Sequence, residues 1–299
     1  MSKHRNWALF VPTYRRENPL ILQMLDKDPE LELYLCCRHE EIDAGFYGRL
    51  AKVDRVKIVD LGRGLTELGR TRQRIVYYCV QNHIDYCFMF DDGIFSVDDA
   101  EHPAATISET FDRICDIMRF DPQAEDIVGF TFTKRKYIDP VTNEIKTRRN
   151  THVPDRNYFV FYPGQAICVN IPMLQNSDIN YHSINEVGFE DAAFFGDCLK
   201  AGLVFAGRKT ITIDGVVPNA AKPGGSHADN FNIERKYDTC NLRTLKYLSM
   251  MGAYFTKKYE PYIGSLCSFI KWDFDYFYDV LCVNRDKNKT ILRRKFRPL

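Results

Sequence analysis

The 299 residues carry 41 Lys and Arg against 40 Asp and Glu, a formal net charge of +1, so no bulk basic excess marks the chain as a general nucleic-acid binder. The chain is long enough to bury a large core, as one α/β domain or two smaller ones, and needs no staples to fold. Its ten cysteines show no CxxC pairing and no regular spacing and sit mostly in apolar segments, so buried reduced thiols are the economical reading.

The opening "MSKHRNWALFVPTY" is basic, but its apolar run has only strand length, and no later run is long enough for a membrane span. The expectation is a soluble cytoplasmic protein without a membrane anchor. "WALFVPTY" reads as a strand closed by a Pro-Thr turn. "NPLILQMLDKD" has apolar residues at helical spacing behind a proline suited to a first turn. "ELELYLCCR" and "VDRVKIVDL" read as the next two strands. "TELGRTRQRIVYYCVQNH" reads as a helix with Ile75, Val76, Tyr78 and Cys79 on its apolar side, leading into the strand "DYCFMF". Strands and helices in this alternation predict a mainly parallel sheet, whose ligands gather at the carboxyl ends of its strands. "VPTYRR" and "FDDG" both lie at such ends.

The second half is less regular. "EDIVGFTFTKRKYI" reads as a strand, "YFVFYPGQAICVNIPML" as two strand pieces around Pro163-Gly164, "FEDAAFFGDCLKAGL" as a helix and "VFAGRKTITIDGVV" as a strand. "VVPNAAKPGGSHADN" is a Gly/Pro-rich loop. A helix over "TCNLRTLKYLSMMGAYFTKK", the aromatic run "FIKWDFDYFYDVL" and the basic end "NRDKNKTILRRKFRPL" follow. The expected division is a domain over residues 1–230 and a helical, aromatic and basic extension over 231–299.

Two adjacent carboxylates, Asp91 and Asp92, close the apolar strand before Gly93. Asp-Gly is a common turn pair, and a turn alone would account for it. The alternative is a pair of acids that holds a divalent cation on a nucleotide diphosphate, since Mg²⁺ and Mn²⁺ take carboxylate oxygen.

The order of the motifs narrows this choice: a strand ending in Pro-Thr-Tyr-Arg, Gly69-Arg70 opening a helix, the paired Asp, then Glu190-Asp191 on a helix, then a Gly-rich loop with His227. Over about residues 7 to 230 it resembles the GT-A glycosyltransferases. In size, order and lack of a membrane segment it looks most like the bacteriophage TET-associated, DNA-modifying group. The resemblance implies a GT-A-like, mainly parallel α/β fold and a metal-dependent transfer of a hexose or pentose from a nucleotide sugar, UDP-linked, to a hydroxyl. It implies Asp92 and Asp91 with His227 at a Mn or Mg ion, and Asp91 also at the ribose. Pro12, Thr13, Tyr14, Arg15, Arg70 and Lys222 fall to the nucleotide, with Arg16 also available to the diphosphate. Asp191 is implied as the general base, with Glu190 orienting sugar or acceptor. The family's DxD is here Asp91-Asp92-Gly93, so its third position differs.

For the acceptor, the group resembled implies 5-hydroxymethylcytosine in phage DNA. "TKRKY", "KTRRN" and the basic end could contact phosphates. A polysaccharide or protein acceptor, a nucleotidyltransferase and a non-catalytic nucleotide-sugar binder stay open. No obligate protein partner is expected.

Overall fold

The computed structural model describes residues 5–65, 68–121, 126–138, 145–149, 165–177, 179–181, 194, 198 and 205–217. The division proposed at residue 230 and the C-terminal extension lie outside them. Strand β1 (Trp7–Pro12) is followed by a 3₁₀ turn at Leu20–Leu22 that runs into helix α1 (Gln23–Lys27). The single helix expected over "NPLILQMLDKD" is thus a tight turn and a short helix, entered from Pro19 in extended conformation. Strand β2 (Leu33–Cys37), helix α2 (His39–Asp43), strand β3 (Val56–Asp60), helix α3 (Leu68–Gln81) and strand β4 (Tyr86–Phe90) complete the first half.

Strand β5 (Ile94–Asp99) leaves directly from the acidic turn, and helix α4 (Ile107–Phe120) follows it. The sequence reading passed over α4, although Thr106 and Glu109 form a capping box. Strands β6 (Ile127–Ile138), β7 (Ile145–Arg149) and β8 (Ala166–Asn170) come next, then helix α5 (Ile171–Asn176) and strand β9 (Phe205–Val217). "IPML", read as strand, is helical. Asn170 accepts the Met173 N–H at 3.2 Å and Pro172 sits in the first turn, two start signals hidden inside a continuous apolar run.

The sheet runs β3-β2-β1-β4-β8-β6-β9-β5, with β7 paired to β6. Strands β3, β2, β1 and β4 are mutually parallel, as expected of an α/β sheet flanked by helices, and β6 pairs β9 in parallel. β8 is antiparallel to both β4 and β6, so the second half is mixed. Alternate residues of the parallel strands enter opposite cores. Phe10, Cys87 and Met89 pack with Ile75, Val76 and Cys79 of α3 and with Leu174 of α5. Leu9, Val11, Phe88 and Phe90 pack with Met24 of α1 and with Phe111 and Ile114 of α4. Phe88 and Phe111 stack at 3.9 Å at the centre of that second layer.

This burial on both faces explains why β1 and β4 read as unbroken apolar runs. The chain moves from β1 outward through β2 to β3, then returns to place β4 on the other side of β1. The crevice at the carboxyl ends of β1 and β4 is therefore the switch point of the sheet, where open α/β sheets bind ligands. Among the described residues no helix is long and apolar enough to cross a membrane. Seven cysteines among them are buried, and none of these is in a disulfide. Burial pushes the thiols of Cys36, Cys87 and Cys168 well above their ordinary range, which suits packing rather than nucleophilic chemistry.

Candidate functional site

Two loops form the crevice. The first leaves β1 at Pro12, whose register partner is Cys36 of β2, and the Thr13 N–H donates to the Cys36 carbonyl at 3.2 Å. The next residues turn sharply, because Arg15 adopts a left-handed φ of 50°. That conformation costs a side-chain-bearing residue about 1–3 kcal/mol and persists only where its surroundings enforce it. Here the Arg15 N–H donates to the Tyr47 hydroxyl at 3.0 Å, and that hydroxyl donates to Glu41 Oε2 at 2.7 Å. Tyr14 lies beside two guanidinium groups, with Arg38 4.2 Å and Arg15 5.0 Å from its ring centroid. Aromatic ring and cations thus cluster on the β2 side of the crevice.

The second loop is the acidic turn, closed by the Ile94 N–H donating to the Asp91 carbonyl at 3.1 Å. It is a turn, as the plain reading of Asp-Gly has it, yet it makes no hairpin: β4 and β5 are not neighbours in the sheet, and β5 pairs with β9. The two acids occupy different environments. The Asp91 side chain is 44% exposed, and its Oδ1 lies 3.9 Å from a guanidinium nitrogen of Arg72. The Asp92 side chain is 10% exposed; its Oδ2 forms an ion pair with Arg16 Nε at 2.7 Å and accepts the Thr13 hydroxyl at 3.3 Å. Burial raises the Asp92 carboxyl to about 6, while Arg16 and Thr13 pull it back.

Helix α3 closes the third side. Arg70, the expected phosphate contact at its start, is exposed, whereas Arg72 is 4% exposed and extends to Asp91. Arg72 escaped the sequence reading although it lies three, four and seven residues before Ile75, Val76 and Cys79, on the stripe that packs inward. Neighbouring Gln73 pins another segment: its Oε1 accepts the Tyr181 N–H at 2.6 Å and its Nε2 donates to Asn180 Oδ1 at 3.1 Å. Tyr181 is 6.0 Å from the Arg72 guanidinium and stacks on Phe194 at 3.9 Å.

Pro12, Thr13, Tyr14, Arg15, Asp91 and Asp92 are thus brought to one crevice, joined by Arg16, Arg38, Glu41 and Arg72. Glu190, Asp191, Lys222 and His227 lie outside the described residues, as does the basic end. Among the described residues no three His, Cys, Asp or Glu side chains converge to hold a metal. Asp91 presents the more exposed carboxylate of the pair, 3.9 Å from Arg72, whereas Asp92 is held close by Arg16 at 2.7 Å.

Glu41 makes one property of the site measurable. It is 7% exposed, its Oε1 has no hydrogen-bond partner, and burial raises its carboxyl against the pull of Tyr47, Arg38 and Arg15. A carboxyl raised on folding favours the folded state fully below its unfolded value, near 4.5, and loses that contribution as pH rises through the folded value. Glu41→Gln does not titrate, so its stability relative to wild type is expected to improve from pH 4.5 to pH 7.5, read by urea unfolding. A difference that is flat or reversed across that range would show that Arg38 and Arg15 fully compensate the charge.

No protein-family model matches the chain, and no curated protein matches it. Among solved structures, GalNAc-T7 with UDP, GalNAc and Mn²⁺ is similar over 86% of this chain and 57% of its own, at 8% identity and a TM-score of 0.48. A197 from STIV is similar over 69% of this chain and 83% of its own, at 11% identity and 0.37. A 4-diphosphocytidyl-2C-methyl-D-erythritol synthase from Anaerococcus prevotii is similar over 79% of this chain and 97% of its own, at 13% identity and 0.39. This chain therefore spans just over half the length of the first of them. At these scores none of the three carries an argument about this chain's chemistry.

Proposed function

We propose that the chain is a transferase that moves a hexose or pentose from a nucleotide-diphosphate sugar, UDP-linked, to a hydroxyl. The observation that supports it is the convergence of Tyr14, Arg15 and Arg38 with Arg72 and Asp91 at the switch point, an aromatic and cationic end beside a buried arginine and an exposed carboxylate. On this reading Tyr14 and its two arginines meet the nucleoside, and Arg72 meets the diphosphate. Arg70 and Lys222 remain candidates for the same phosphates. A divalent metal, Mn or Mg, would be held by Asp91, with His227 proposed as a further ligand, and would act as a Lewis acid on the diphosphate. The acceptor oxygen attacks the anomeric carbon and its proton passes to Asp191, with Glu190 orienting sugar or acceptor. The bond from that carbon to phosphate oxygen breaks, and nucleoside diphosphate leaves.

For the acceptor we favour 5-hydroxymethylcytosine in bacteriophage DNA, met in the host cytoplasm. The support is a ribbon in which β6 and β7 set Lys134 opposite Arg149 and Arg135 opposite Arg148. Four cationic residues carried by one paired ribbon are a composition suited to a phosphate backbone. The same nucleotide end would also serve a nucleotidyltransferase, a saccharide- or peptide-directed enzyme, or a binder without activity. One experiment separates them: UDP-sugars are supplied with Mn²⁺ and hydroxymethylated DNA, an oligosaccharide or a peptide. Released UDP and the mass of each acceptor are measured. UDP release with a sugar-sized mass gain on DNA is expected. Pyrophosphate release would assign the nucleotidyltransferase, gain on the other acceptors would move the acceptor, and neither product would leave a binder at most.

A further inference from the structure

The expectation that Asp92 is the metal carboxylate meets an obstacle in its surroundings. Its Oδ2 is 2.7 Å from Arg16 Nε, so a cation approaching that oxygen would meet a guanidinium already there. Both the side chain and the main chain of Asp92 instead hold the loop that follows β1. Thr13 Oγ1 donates to Oδ2 at 3.3 Å, and the Ile21 N–H donates to the Asp92 carbonyl at 3.2 Å. Between these two ties lies Arg15 at φ 50°, anchored from the other side by Tyr47. A strained turn placed between two anchors is the arrangement in which a carboxylate sets backbone shape.

We infer that Asp92 is a positioning residue: through Arg16 and Thr13 it clamps the Thr13–Arg16 turn in ligand-binding shape, and Asp91 is the carboxylate of the pair that meets the ligand. The clamp follows from contacts within the chain. Only the identity of the ligand at Asp91 rests on the nucleotide-sugar reading. The acidic pair thereby divides its labour, the outward acid serving the ligand and the inward acid serving the loop.

Hydrogen exchange of the ligand-free protein tests the clamp without any substrate. Asp92→Asn and Arg16→Met are each expected to speed exchange at the Arg15 amide, which reports the Tyr47 anchor, at least tenfold. Arg16→Lys, which keeps the charge, is expected to recover part of the protection, and Asp91→Asn to leave it unchanged. Unchanged exchange in Arg16→Met, which stands in should Asp92→Asn fail to fold, would overturn the clamp. So would loss of protection in Asp91→Asn equal to that in Asp92→Asn.

A second arm follows free Mn²⁺ by electron paramagnetic resonance while UDP is added. Asp91→Asn is expected to weaken Mn²⁺ binding at least tenfold and Arg16→Met not to tighten it. Tighter binding in Arg16→Met, with binding abolished in Asp92→Asn, would return Asp92 to the metal and overturn the division. If wild type binds neither Mn²⁺ nor UDP, the nucleotide reading fails, and the exchange measurements still decide the clamp.

Discussion

Asp191→Asn is expected to slow sugar transfer by about 10²–10⁴-fold while leaving UDP affinity within about twofold, because a general base acts on the attacking hydroxyl and not on the nucleotide. Asp191 stands three residues before Phe194 in the sequence, and the Phe194 ring stacks on Tyr181 at 3.9 Å. Tyr181 is in turn fixed by Gln73 of α3 and lies 6.0 Å from the Arg72 guanidinium. Phe194 is thus linked through Tyr181 to helix α3, which carries Arg72. Asp191 is proposed to serve the acceptor because Glu190-Asp191 resembles the acidic pair of the GT-A glycosyltransferases. Single-turnover transfer and calorimetric UDP titration on the same preparation check the expectation. Normal transfer would remove Asp191 from the mechanism, and an equal loss of UDP binding would assign it to donor recognition.

What the sequence disclosed of this site follows from how far apart its parts lie along the chain. Strands β1 and β4 were legible because a strand buried on both faces must be apolar throughout, and their ends then located Thr13 and Asp91. The choice between Arg70 and Arg72 needed the rotation of α3 about its own axis. Two residues along a helix turn about 200°, so one arginine faces solvent when the other faces the sheet. That rotation was readable in principle, since Ile75, Val76 and Cys79 define the inward stripe and Arg72 continues it. The pairing of Arg16 with Asp92 was not readable, because the partners are 76 positions apart and meet only once β4 has crossed back beside β1. The same holds for Tyr47, whose anchoring of Arg15 leaves no local periodic mark. Helix α4 is a different kind of omission: its capping box is a local signal that stands in the sequence.

Arg72→Ala is expected to weaken UDP binding about 10- to 100-fold, the loss typical of one or two hydrogen bonds to a charged group. The guanidinium is held at the wall of the crevice with only 4% of the side chain exposed, 3.9 Å from Asp91 Oδ1. A diphosphate brought there would add negative charge beside a cation already ordered by the fold, so little rotamer freedom remains to be lost on binding. Arg72→Lys keeps the charge but loses the planar fork, and is expected to fall between wild type and Ala. Uridine supplies the control, because it lacks the phosphates and its affinity should move less than twofold in either variant. Arg72 is also packed near Tyr181, so thermal unfolding of both variants must accompany the titrations. If UDP and uridine weaken together, Arg72 supports the crevice wall, and the diphosphate must be sought at Arg15, Arg16 or Arg70. If UDP alone weakens, and Lys recovers part of the loss, the buried arginine is the phosphate contact.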